Sequence, residues 1–237
     1  MPIDMNSMRN NPSVVQAQAD AGLKAYFRSI YTYMTLALAL TGLVAYFAFD
    51  SGLYFQIART PLIWVVMLAP LGLAMFLSFR IEKMSLATAQ ISYWIFAAVM
   101  GLSLAGIFAM YAHQSIARVF FITAGTFGGM SLYGYTTKTD LTRMGSFMIM
   151  GLWGIIIASL VNMFFKSTAV QFAVSVIGVI VFVGLTAYDT QKLKNLYYQV
   201  SGSDMMGKVV IMGALNLYLD FINLFLMLLR LFGDRRN

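Results

Sequence analysis

The chain has 237 residues, of which 60% are hydrophobic and only 11% charged, with a formal net charge of +7. A soluble domain carries about 25% charged residues, so this balance, with a mean hydropathy of +0.76, excludes a soluble globule. Cysteine is absent, which removes disulfides and thiolate metal sites. The positive charge does not call for nucleic acid, because basic residues gathered in short loops are what membrane topology produces by itself.

Residues 1–28 read as an N-terminal tail whose "SVVQAQADAGLKAYFRS" is either an ordered lead-in to the first span, the favoured reading, or a short amphipathic helix lying at the interface. The apolar stretch that follows, "IYTYMTLALALTGLVAYFAF", is too long for a signal h-region and sits behind too long a polar tail, so it is a retained helix. Charged residues then cut the chain into stretches of about 20 residues or more, each enough for a helix to cross roughly 30 Å of hydrocarbon. Barrel strands would show about ten residues of alternating polarity instead. The predicted spans lie near 30–49, 62–79, 87–111, 118–136, 144–165, 169–188 and 209–231. The fold class is therefore all-α: a polytopic membrane domain of seven helices over 29–233, with 234–237 as a C-terminal tail. The one long connection predicted surrounds "TQKLKNLYYQVSGSDMMGK".

With the N-terminus inside, the inner segments carry Arg9, Lys24, Arg28, Arg80, Lys83, Lys138, Arg143, Lys192, Lys194 and Lys208. The outer ones carry Arg59, Arg118, Lys166, Arg230, Arg235 and Arg236. Ten against six favours a cytoplasmic N-terminus and an outer C-terminus. The last three charges dissent, and a re-entrant final segment with its tail inside is the alternative.

In the second span, Pro70 and Gly72 of "MLAPLGLAMF" remove a backbone hydrogen bond and soften the helix. Arg80 closes that span on the inner side, either as a topology marker or as the partner of a carboxylate. The single histidine, His113, is an interfacial polar residue rather than a metal site. "GTFGGMSLYGY" lacks the Lys-Ser/Thr of a phosphate loop and reads as close helix packing.

The sixth span ends in "VGLTAYDTQKLK", where Asp189 shares a face with Thr186, Gly178 and Ser175. The seventh, "GALNLYLDFINLFLMLLRL", places Asp220 near mid-bilayer. At about 100° per residue, Asn216, Asp220 and Asn223 form one polar stripe on an otherwise apolar helix, which suits a helix buried among the others. A charge at that depth costs about 2.5–3.5 kcal/mol and faces a cavity or a partner. Spans six and seven are consecutive and antiparallel, so the two stripes can meet. Their predicted depths nevertheless differ by roughly 10 Å, and contact requires the sixth helix to sit deeper than these boundaries. Two carboxylates that do meet cannot both ionise cheaply and titrate as a unit. Fully ionised, they attract a hard divalent cation such as calcium, with a transient contact at Asp220.

"YFRSIYTYMTLALALTG", "SLYGYTTKTDLTRMGSFMIMGLWG", "GLTAYDTQKLK" and above all "GALNLYLDFINLFLMLLRL" resemble the bacterial branch of the transmembrane Bax inhibitor motif family, from about residue 24 to the C-terminus. The resemblance implies six helices around a central seventh and a pH-sensitive calcium leak across the inner membrane. It implies a paired-aspartate sensor at Asp189 and Asp220, with Arg80 as the second-helix arginine that latches onto Asp189. Asn216, Asn223 and Thr186 are the supporting polar residues. The expected partners are protons, calcium or other cations and the lipid bilayer, with no cofactor and no enzymatic activity.

Two other functions use the same features: a proton-coupled cation exchanger, and a regulator that binds other membrane proteins without transport. An intramembrane aspartyl protease would need Gly-x-Gly-Asp where this chain has Leu217-Tyr218-Leu219-Asp220.

Overall fold

A computed structural model describes residues 12–236, so Arg9 lies outside the described residues. The helices are α1 (Pro12–Asp50), α2 (Leu53–Ala58), α3 (Leu62–Arg80), α4 (Leu86–Leu104), α5 (Gly106–Met110), α6 (His113–Thr136), α7 (Thr142–Phe165), α8 (Thr168–Val200) and α9 (Met206–Phe232). A 3-10 turn, Ile81–Lys83, follows α3. Seven of these segments are long and apolar enough to cross a membrane, with α5 continuing the span of α4. The bundle thus has two ends. The near end carries the start of α1, the 3-10 turn and the α8–α9 connection. The far end carries the α7–α8 corner and the C-terminal residues.

The boundaries differ from the sequence expectation in three informative places. First, α1 is one continuous helix, and its lead-in belongs to the bundle: Leu23, Tyr26, Phe27 and Ile30 are buried, on the i, i+3, i+4, i+7 spacing of one helix face. Second, the third span breaks at Ala105, where Gly106 lets the Tyr54 ring approach its backbone. Third, the expected long loop after Asp189 is mostly helix. α8 runs on to Val200, because Leu193 and Tyr197 still face the core while Lys194 reaches out to donate to the Tyr135 carbonyl at 2.8 Å. α9 is a single unbroken helix, so the final segment crosses the bundle and does not re-enter.

α9 sits at the centre. In its most apolar 18-residue window 67% is buried, against 6–39% for the other six spans. It packs on α8, α1, α6 and α4, while α3 leans mainly on α4 and α7 rests on α8. Directional bonds fix its rotation. The Tyr218 hydroxyl pairs with Thr41 at 2.7 Å, and Thr41 donates to the Ala97 carbonyl at 2.8 Å, joining α9, α1 and α4. Thr41→Val should leave the fully buried Tyr218 hydroxyl without that partner, at a cost of about 1–3 kcal/mol. The measurement is unfolding temperature in detergent, which is expected to fall; an unchanged value would contradict this lock.

On the near-end loop before α7, Asp140 accepts from the Thr142 hydroxyl at 2.6 Å and its backbone N–H at 2.9 Å. These bonds hold its carboxyl below the usual range. Such a group stabilises the fold above its unfolded pKa, and the contribution disappears as pH falls through the lowered value. Asp140→Asn is accordingly expected to lower the melting temperature at neutral pH and to change nothing near about pH 2.

The far-end corner between α7 and α8 is clamped by Asn162. Its amide donates to the Ser167 carbonyl at 3.1 Å and its oxygen accepts from the Ser167 N–H at 2.9 Å. Between them Lys166 adopts φ 51°, a left-handed conformation at a helix C-terminus where glycine is the usual residue. The C-terminal residues are tied to the same end. Arg118 pairs with Asp234 at 2.9 Å, and the Asp234 N–H donates to Ser115 at 2.8 Å.

Candidate functional site

Asp189 and Asp220 come within hydrogen-bonding reach of each other. The predicted depth gap disappears because α8 continues about three turns beyond Asp189, placing that residue inside the helix instead of at its end. Close backbone approach positions it: α6 meets α8 at Gly134, where a Cβ would fall on the Ala187 carbonyl. Asp220 is only 6% exposed. Ionised carboxylates only accept hydrogen bonds, so a contact between two of them requires a proton. The outer oxygen of Asp220, Oδ2, is buried and has no partner.

The pair stands between two cavities. At the near end, a cavity of about 340 Å³ is lined by Asp189, Asn216, Lys192, Lys208 and Glu82 among others. At the far end, a larger cavity of about 710 Å³ reaches Asn223 from below Arg230 and Arg235. Asn216 lies one turn before Asp220 and Asn223 one turn after it, so a single polar stripe runs from one cavity to the other past the carboxyl pair. Asn223 also donates to the Leu219 carbonyl at 2.8 Å. Thr186, expected to support Asp189, is fully buried and turned into its own helix, donating to the Phe182 carbonyl at 2.7 Å.

Arg80 is exposed and makes no ion pair among the described residues, so the expected latch to Asp189 is not formed in this conformation. Its chain neighbours Ile81 and Glu82 nevertheless line the near-end cavity that contains Asp189. The nearest cation on that wall is Lys192, one turn along α8. Lys208 donates to the Glu82 carbonyl at 2.9 Å, tying the end of the second span to α9.

Three hydroxyls join α1 and α6 to the stretch of α8 that carries Asp189. Tyr31 on α1 bonds Ser131 on α6, Ser131 meets Thr190 on α8 at 3.0 Å, and Thr190 donates to the Thr186 carbonyl at 2.7 Å. Polar residues inside apolar stretches were the available signal, but no periodicity says which of them face one another. Among the described residues no three His, Cys, Asp or Glu side chains gather as a metal site, and His113 is exposed beside Phe108.

A family model described as inhibitor of apoptosis-promoting Bax1 matches residues 23–237. The inner membrane protein YbhL of Escherichia coli is 48% identical over 236 residues, covering 98% of this chain and all of the relative. A Rickettsia prowazekii protein is 50% identical over 92% of this chain and 93% of its own length. A Streptococcus pyogenes membrane protein is 34% identical over 94% of this chain and 98% of its own.

Proposed function

We propose that this chain, which belongs to the Bax inhibitor family, is a cation leak path across the inner membrane, gated by protonation of the Asp189–Asp220 pair. The relative from Escherichia coli bears the name of an inner membrane protein, and the bias of Lys and Arg favours a cytoplasmic N-terminus. One observation carries the reading: a carboxyl pair, with Asp220 buried and Asp189 on the near-end cavity, lies on a polar stripe that leads from that cavity to the one at the opposite end of the bundle. A purely structural polar lock would not need cavities on both sides.

On this reading the conformation described is the protonated one, in which the two carboxyls share a proton and Arg80 makes no ion pair among the described residues. Raising the pH removes that proton and leaves two adjacent anions, an arrangement that must separate or gain a cation. Arg80 borders the cavity wall and takes Asp189 as its partner, pinning α3 to α8 and closing the path. Pro70 inside α3 removes one backbone hydrogen bond, which lets that helix bend about its middle. Acid reverses the step: the pair regains its proton, Arg80 is released and the leak rises. Of the charged groups on the cavity, Lys192 and Lys208 favour the ionised pair and Glu82 opposes it. Calcium is the expected cargo, since it prefers oxygen ligands. In the leaking state the pair keeps a proton, so the two carboxyls and two amides offer fewer than the six to eight oxygens calcium usually takes; its stay at Asp220 is brief and water completes its shell.

The test is calcium entry into proteoliposomes stepped from about pH 8 to 5. No entry at any pH would end the proposal. Saturable flux that reverses with an inverted pH gradient would replace leak with exchange. Arg80→Gln is expected to leave acidic flux unchanged and raise flux at alkaline pH. A variant as tightly closed as wild type at high pH would remove the latch.

A further inference from the structure

The far-end cavity has a property that the leak alone does not explain. Three cations line it: Lys166 at the α7–α8 corner, Arg230 in the last turn of α9, and Arg235 in the C-terminal residues. No carboxylate does, among the described residues. Asp234, next in sequence to Arg235, is taken by Arg118 at 2.9 Å, and none of the three cations makes an ion pair among the described residues. Gln171 adds an amide whose side chain has no hydrogen-bond partner there. Lys166 also holds a left-handed backbone conformation that glycine adopts more easily. The fold thus keeps a charge on the cavity rim at a position where backbone preference favours another residue.

The wall below is apolar. Leu152, Ile156, Leu160 and Met163 descend α7 from Lys166, a drop of about 21 Å from Lys166 to Leu152, enough to reach through one leaflet of a core roughly 30 Å thick. Leu160 and Met163 are more than half exposed, and α7 rests on α8, which leaves the side toward α9 open.

We propose that this cavity binds an anionic phospholipid, with its phosphate among Lys166, Arg230 and Arg235 and one acyl chain along α7. Guanidinium groups suit a phosphate because their planar forks donate paired hydrogen bonds to its oxygens. Net charge separates the anionic lipid from a zwitterionic one, whose headgroup amine would meet the same cations. The binding itself does not rest on the leak reading. One consequence does: the lipid phosphate would offset three charges that otherwise repel cations at the mouth of the path.

The experiment is native mass spectrometry of the full-length protein in detergent, titrated with phosphatidylglycerol, phosphatidylcholine or inorganic phosphate, with melting temperature measured alongside. Wild type should retain phosphatidylglycerol over phosphatidylcholine by on the order of tenfold, and the double variant Arg230→Gln with Arg235→Gln should lose that preference. Lys166→Gly guards against misfolding as the cause. It relaxes the corner, so its melting temperature in phosphatidylcholine should equal or exceed that of wild type while its hold on phosphatidylglycerol weakens. Equal retention of both lipids, or variants that keep the preference, would overturn the proposal. So would inorganic phosphate displacing the lipid completely, because the site would then be one for a free anion. Intact binding with no calcium flux would leave the lipid site standing and remove the leak.

Discussion

Asp220→Asn is expected to flatten the pH response of calcium entry while leaving the bundle folded. The asparagine amide can still donate to Asp189, so the contact between α8 and α9 survives, but no proton is left to share. Wild type should change its flux by on the order of tenfold across the titration, the scale of ordinary coupling free energies of about 1–3 kcal/mol. The variant should change by about twofold or less on the same scale. Asp189→Asn should flatten the response too, but at the high-flux end, because Arg80 then has no anion to hold at alkaline pH. The same loss of slope at different flux levels separates a sensor pair from a general loss of conduction. If either variant keeps the full wild-type slope, the proton is sensed elsewhere.

Gly134→Val should be among the most damaging single substitutions in the chain. A Cβ at Gly134 would overlap the Ala187 carbonyl, which is backbone inside α8 and has no rotamer with which to yield. Forced overpacking of this kind costs about 1–3 kcal/mol, occasionally more. The displacement also moves the part of α8 that carries Asp189, two residues on. Melting temperature should fall, and whatever protein survives should show a weakened pH response. Gly129 on the same helix is the control, since a Cβ there meets nothing within 4 Å. Gly129→Ala should hold or raise stability through helix propensity, by up to about 1 kcal/mol. Similar losses at both positions would mean that α6 is fragile throughout and that the Gly134 approach is not special.

Much of the architecture is legible in the chain because lipid leaves few options. Backbone groups must be satisfied within each segment, so evenly spaced charges delimit helices, and an all-round apolar helix with one polar stripe reads as central. Charge is a poorer marker of helix ends. Their charge puts Lys192 and Lys194 beyond the sixth span, yet Lys194 bonds a carbonyl of α6 and Lys192 faces a cavity, both from within α8. Helix and membrane edge are separate boundaries, and only the second is written in charge. The same distinction explains why charge alone makes Asp189 look too shallow to meet Asp220. The lead-in before residue 30 is legible as part of the bundle, since Leu23, Tyr26, Phe27 and Ile30 form a packing face at helical spacing. Thr41 was visible as a polar residue inside its span, but its pairing with Tyr218 depends on how α1 and α9 are rotated against each other. No single helix encodes that. Arg80 marks a further limit: its sequence position puts it next to Ile81 and Glu82 of the cavity wall, but says nothing of which carboxylate, if any, it meets.

Infrared difference spectroscopy across about pH 5 to 8 addresses the shared proton most directly, through the carbonyl-stretch band of a protonated carboxyl group. Wild type should give one such band that diminishes as pH rises, and Asp189→Asn and Asp220→Asn should each abolish it. A band that survives in both variants, or no protonated carboxyl anywhere in that range, would contradict the account.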